Sequence, residues 1–224
     1  MNEKRRIGVT DCLMCKRRLV YKYKNTEKLS YHYWTFRGIL THRMIEEYIK
    51  GTGGIEEVYD SLIEGFEESG ELPGYGLSPK LKQEVIETTQ KFRDWYDEKM
   101  PEFTQMERYF KSERFHGRID MLCKNELIDF KSGKMVTDKL KMQLAAYVIL
   151  CEENGIPINS VKLVMLGKDP KKMDVDITDK IDEYKAKFLQ KLNEAEVVLS
   201  SDEMPEAEIG IECVYCPYVH LCRG

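Results

Sequence analysis

Apolar residues recur every three to four positions between Trp34 and Ile49, where Leu40, Met44, Ile45, Tyr48 and Ile49 form one face, and this spacing predicts an amphipathic helix. A Gly-Thr-Gly-Gly run at 51–54 ends it. Val58, Leu62, Ile63 and Phe66 predict a second helix. The third opens at Ser78-Pro79, with serine as N-cap and proline at the first helical position, and carries Leu81, Val85, Phe92 and Trp95 inward before Pro101. The period then falls from 3.6 to 2. Gln105–Lys111, Phe115–Cys123 and Glu126–Lys131 read as a three-stranded meander. Thr137 caps a further helix through Leu140, Leu144, Tyr147, Val148 and Cys151 that stops near Asn154-Gly155. Val161–Leu166 predicts a fourth strand, Lys172–Ile177 an edge strand, and Asp179 to about Ser200 a charged helix with Tyr184, Phe188 and Leu192 inside. The last stretch, from Ser200, has no periodicity.

Composition narrows the class. The chain has 224 residues, 42% hydrophobic and 33% charged, enough for a core and too polar for a membrane protein. No apolar run nears the ~20 residues that span a bilayer. The basic start, Met1 to Ile7, is followed at once by Asp11, Lys16, Arg17 and Arg18, leaving no stretch for a secretory leader, so a cytoplasmic location without membrane partners is expected. Thirty-five basic against 39 acidic residues leave a net charge of −4, which excludes nucleic-acid binding by bulk positive charge but allows a local basic groove. The Lys- and Glu-rich surface is compatible with a thermophilic source.

Candidate chemistry concentrates in the meander. Gly117-Arg118-Ile119-Asp120 and Ile128-Asp129-Phe130-Lys131 lie on adjacent strands, so a hairpin brings Asp120, Asp129 and Lys131 together, with Asp129 and Lys131 on one face. Two converging carboxylates suit hard cations that polarise a phosphodiester, and a neighbouring lysine can orient water or stabilise developing negative charge. Gln143 and Tyr147 are four apart on the next helix, placed to support the site or touch nucleic acid. Gly38 and His42 share the same spacing on the first long helix, where an imidazole is a potential metal ligand. Glu107 is one more carboxylate on the preceding strand.

Seven cysteines in a chain expected to stay reduced point away from a disulfide framework. Cys213-x-x-Cys216-x5-Cys222 sets three thiols in a segment with little else to order it. Cys15, at the head of an aromatic and basic helix, is the best fourth donor, and such a set staples the two ends of the chain together. Four thiolates suit an iron-sulfur cluster or a tetrahedral zinc, and for zinc Cys12 and Cys15 could form the first knuckle. Arg17 and Arg18, next to Cys15, are candidates for contacting phosphate. Cys123 and Cys151 fall on apolar faces and read as buried small hydrophobes.

Taken in order, Gly38-x3-His42, Gly117-Arg118-Ile119-Asp120, Asp129-Phe130-Lys131 and Gln143-x3-Tyr147 resemble the RecB-type branch of the PD-(D/E)XK nucleases, over most of the chain. With the cysteines added, the chain is similar to the iron-sulfur members of that branch, including the CRISPR-associated Cas-four exonuclease family. The resemblance implies an α/β core with a mixed central sheet flanked by helices, and metal-dependent hydrolysis of DNA with Mg2+ or Mn2+. It implies His42, Asp120, Asp129 and Lys131 as the catalytic set, the first three on the metal. Cys15, Cys213, Cys216 and Cys222 would ligate a 4Fe-4S cluster, leaving Cys12 spare. One domain over 1–224 follows, with 24–101 a mainly helical insertion or lid, 102–200 the nuclease core, and 12–23 plus 201–224 the cluster region. The implied substrate is single-stranded DNA ends, trimmed before insertion as CRISPR spacers, with CRISPR integrase proteins as partners. The alternatives are a recombination or replication nuclease of a virus or mobile element, and a catalytically idle iron-sulfur DNA-binding module. No Walker motif accompanies these residues, so no fused motor is expected.

Overall fold

The computed structural model describes residues 6–24, 31–99, 102, 105–169 and 173–223. Six strands form one mixed sheet: β1 (Ile7–Gly8), β2 (Gln105–Lys111), β3 (Phe115–Cys123), β4 (Glu126–Lys131), β5 (Ser160–Met165) and β6 (Asp174–Asp176). The meander is antiparallel, β4 and β5 are parallel, and β6 closes the far edge antiparallel to β5. The expected edge strand is thus confined to three residues, and Lys172 lies outside the described residues.

The helices are α1 (Val9–Cys12), α2 (Lys16–Lys24), α3 (Tyr33–Lys50), α4 (Ile55–Glu68), α5 (Pro79–Lys99), α6 (Asp138–Glu153), α7 (Ile181–Ser200) and α8 (Val219–Arg223). Their ends obey local chemistry. Gly51 takes the left-handed conformation at φ 70° to close α3, and the Thr137 hydroxyl accepts from Leu140 N at 3.3 Å to open α6.

Alternation along β4 and β5 sorts side chains into two layers, while β3 changes phase between Ile119 and Met121. Phe115, Ile119, Leu127, Val161, Leu163 and Met165 pack with α6 and α7 through Leu144, Val148, Phe188 and Leu192. Met121, Ile128, Phe130 and Val164 turn to the other face, against Ile45 of α3 and Phe92 and Trp95 of α5. The 33–99 stretch therefore covers one face of the sheet, and its outer helix α4 adds a separate apolar cluster of Phe36, Leu40, Tyr59, Ile63, Phe66 and Leu81. Among the described residues no helix is long and apolar enough to cross a membrane.

A strand has two edges, and β2 occupies one edge of β3 from His116 to Leu122. The other is shared: β4 pairs with Met121–Cys123, and β1 pairs in parallel with Phe115 and His116. Between these two ladders, over Gly117–Asp120, β3 and β4 part company. The site forms in that gap.

Candidate active site

Asp120 stands where the β3–β4 ladder stops. Its Oδ2 accepts from Phe130 N at 2.8 Å, so the side chain takes over the role of a backbone acceptor and bridges the splayed strands. His42 comes down from α3, its Nδ1 3.4 Å from Asp120 Oδ1 and 3.5 Å from Glu107 Oε1. Asp129 is 1% exposed, and Lys131, on the same strand face, places Nζ 2.5 Å from Asp129 Oδ2. The β3–β4 hairpin and α3 thus bring His42, Asp120, Asp129 and Lys131 together.

Glu107 belongs with them. Its neighbours Met106 and Arg108 pair with Met121 and Ile119 in an unbroken register, which sets Glu107 opposite Asp120. Its backbone lies at φ 46°, a left-handed conformation that a non-glycine residue rarely adopts in a strand. The strain turns a buried carboxylate toward His42, while Arg118 Nε holds its other oxygen at 2.6 Å. Among the described residues, His42, Glu107 and Asp120 are the one group of three or more potential metal ligands whose donor atoms lie within 4.8 Å of one another. Sequence spacing marks Glu107 as a further carboxylate on that strand, and counting back along the hairpin from Asp120 would have singled it out.

The charges are mutually dependent. Burial opposes protonation of His42, but the facing Asp120 and Glu107 outweigh it and push the imidazolium up to about 10. Burial likewise works against an ionised Asp120, yet His42, Lys131 and the Phe130 amide pull its carboxyl below the usual range. Asp129 goes the other way: burial first, then the charge of Asp120, raise it in spite of Lys131. Asp129 Oδ1 is buried without a partner, while Oδ2 lies against the Lys131 ammonium. His42, Glu107 and Asp120 gather donor atoms closely enough for one hard cation, and the open oxygen of Asp129 stands beside them, so the residues present fit a divalent metal.

Gln143 and Tyr147 are both buried, and Gln143 Nε2 donates to Tyr147 OH at 2.8 Å. Burial and the nearby carboxylates of Asp129 and Asp120 push the Tyr147 hydroxyl well up, which sets this pair beside the site. Gly117 is explained by the Tyr147 ring, because a Cβ there would meet Tyr147 Cε1 at 2.7 Å.

The two chain ends meet elsewhere. Cys15, Cys213, Cys216 and Cys222 all line a cavity of about 360 Å³ between α2 and the C-terminal segment. Tyr21 OH donates to Leu221 O at 2.9 Å, and the Tyr21 and Tyr218 rings stack 5.7 Å apart. Arg17 and Arg18 line the same cavity, and Arg17 Nη1 reaches Cys222 O at 3.3 Å and Sγ at 3.6 Å. Arg17, a candidate for contacting phosphate, holds its guanidinium against Cys222. Cys12 lies in the main core, 4% exposed, with its thiol pushed up to about 12 by burial and by Asp11. Cys151 is also buried, whereas Cys123, at the end of β3, is only half-buried. Four thiols around one cavity are a donor set that fits either an iron-sulfur cluster or a tetrahedral zinc.

The sequence profile of the PD-(D/E)XK nuclease superfamily matches residues 9–223. No curated protein sequence matches the chain. Among solved structures it is similar to a candidate exonuclease from Eubacterium rectale, 11% identical with a TM-score of 0.58, over 95% of this chain and 93% of that one. It is also similar to a protein called SSO0001, 18% identical with a TM-score of 0.49, over 99% of this chain and 88% of that one.

Proposed function

Because the chain belongs to the PD-(D/E)XK nuclease superfamily, we propose that it is a metal-dependent deoxyribonuclease that hydrolyses DNA from single-stranded ends. The observation that carries this reading is the close set of His42, Glu107 and Asp120 donors, with the buried Asp129 beside them, one oxygen against Lys131 and the other without a partner. In this reading Asp120, Asp129 and His42 hold Mg2+ or Mn2+, with Glu107 as a fourth donor. The cation supplies Lewis-acid polarisation of the phosphodiester and acidifies a water. Lys131 sets its ammonium against the negative charge that develops on the phosphate. Tyr147, bonded to Gln143, supports β3 at Gly117.

We further propose that Cys15, Cys213, Cys216 and Cys222 hold a 4Fe-4S cluster, supported by their shared cavity and by the guanidinium of Arg17 beside Cys222. The cluster would tie α2 to the C-terminal segment. The setting proposed is trimming of DNA fragments before their insertion as CRISPR spacers, alongside integrase proteins, and its support is the motif resemblance described above.

The test is end-labelled linear single-stranded DNA, and a circular single strand of the same composition, incubated with anaerobically purified protein with and without Mn2+ or Mg2+. Shortening of the linear strand alone, dependent on metal and lost in Asp120→Asn and Asp129→Asn, is expected. Cleavage that persists in both variants, or needs no metal, would overturn the assignment.

A further inference from the structure

Trp34, in the first turn of α3, is 48% exposed, whereas Trp95 is 6% exposed in the core. A large aromatic surface left open to water on a fixed helix calls for an explanation. The ring is not loose. The Arg37 guanidinium carbon sits 4.8 Å from the ring centroid, and the Tyr33 ring meets it edge-on at 5.2 Å. Arg37 is itself tied down, pairing with Glu84 at 3.1 Å and donating to both the carbonyl and hydroxyl oxygens of Ser132 at 3.2 Å. Ser132 directly follows Lys131, so the support of Trp34 is anchored to the rim of the candidate active site.

The helix connects the same two places. Trp34, Gly38 and His42 are spaced by four residues and so run along one side of α3. A Cβ at Gly38 would meet nothing within 4 Å, which leaves open space between the exposed ring and the histidine. At 1.5 Å per residue, Trp34 to His42 covers about 12 Å along the axis, the length of a few stacked nucleotides at about 3.4 Å each.

We propose that Trp34 is a stacking platform for an unpaired nucleobase a few nucleotides from the bond that is cut, and that it makes the enzyme prefer single-stranded ends. The proposal rests on the nuclease reading and adds its means of selection. Every base has a π-face, so an indole accepts any of them, but in a duplex both faces are already covered by neighbouring pairs. The guanidinium behind the ring, held by Glu84 and Ser132, fixes the indole in place to receive a base. An open glycine then lets the strand lie close to α3 on its way to His42.

Intrinsic fluorescence reads this directly, because Trp95 is buried and Trp34 is the exposed emitter. Oligothymidylate added without divalent metal should quench the wild-type protein and the Lys131→Ala variant but not Trp34→Ala, while a blunt hairpin duplex should quench none. In steady-state cleavage, Trp34→Ala should raise KM for single-stranded ends about 5- to 150-fold, the worth of one base–aromatic stack, with kcat little changed. Trp34→Phe should recover part of the loss and guards against a folding defect in the alanine variant. Labelled oligothymidylate that binds and is cleaved without quenching Trp34, with KM unchanged in Trp34→Ala, would overturn the platform and leave the nuclease intact. A wild-type protein that neither binds nor cleaves any nucleic acid would overturn the nuclease reading itself.

Discussion

Gly117 carries a steric argument that can be measured. A methyl group there would lie 2.7 Å from Tyr147 Cε1 and 3.1 Å from Val9 Cγ2, and contacts below 3.0 Å force something to move. Tyr147 cannot swing aside cheaply, since it is 5% exposed and bonded to Gln143. Gly117→Ala should therefore cost about 1–3 kcal/mol, the usual range for overpacking a core. For a chain of this size that is roughly 2–12 °C in Tm. Tyr147→Ala alone opens a cavity and should cost about 3–5 kcal/mol, by comparison with other aromatic truncations. The double variant decides the matter, because the methyl group added at position 117 then enters space the ring has vacated. Its loss should fall short of the sum of the single losses by about 1–3 kcal/mol, well beyond the ~0.5 kcal/mol within which independent sites add. Urea midpoints of the metal-free protein, at unchanged m-value, supply the four numbers. Additive losses, or a neutral Gly117→Ala, would refute the contact as the reason for this glycine. Cleavage should fall in Gly117→Ala as well, since Asp120 is three residues along the same strand.

Three further outcomes are expected. Lys131→Ala should lower kcat at least tenfold while calorimetry shows divalent-metal affinity maintained, because an ammonium beside Asp129 repels a cation and does not ligate it. Cys15→Ala and Cys216→Ala should lack iron and unfold earlier, by up to ~5 kcal/mol on the analogy of a long-loop crosslink, whereas Cys12→Ala should keep its iron; iron and sulfide analysis beside urea melts would reveal the reverse pattern if Cys12 were the ligand. At Glu107, glycine should be more stable than alanine by about 1–2 kcal/mol, because φ 46° penalises a Cβ that glycine lacks, and both variants should lose cleavage; equal melts would mean the backbone relaxes when the carboxylate goes.

The elements legible in the sequence are those whose pattern is local. The meander strands and the helices α3, α5 and α6 follow from period, caps and proline position, since each buries one face against a neighbour that the same pattern supplies. Asp120, Asp129 and Lys131 meet because the β3–β4 pairing sets Asp120 and Asp129 near each other, a distance that can be counted from the turn at Lys124-Asn125. β1 is two residues long and has no period to detect; it exists because β4 leaves an edge of β3 free at Phe115 and His116. The C-terminal helix α8 is equally silent, held by Arg17 and Tyr21 some 200 residues away in the chain, with Tyr21 also stacked on Tyr218 just before the helix.

What the sequence hides at the site has a common cause. Pattern reasoning assumes that a strand stays a strand, and the site forms where that assumption fails on two adjacent strands. On β3 the ladder to β4 stops at Asp120, whose carboxylate must serve the Phe130 amide before it can serve a ligand. On β2 the register continues, but Glu107 leaves the extended region altogether. Neither distortion lowers the energy of the sheet, and a residue held in the left-handed region costs of order 1–3 kcal/mol. Both turn a carboxylate toward the same imidazole, at 3.4 and 3.5 Å. Two costly departures that converge on one point are hard to account for as packing, because an apolar pair at 107 and 120 would keep the ladder and avoid burying charge. They are accounted for if the gap has to accept a charged ligand, and the unpartnered Oδ1 of Asp129 faces the same requirement from the third strand. The strain is therefore itself evidence of function, independent of any motif.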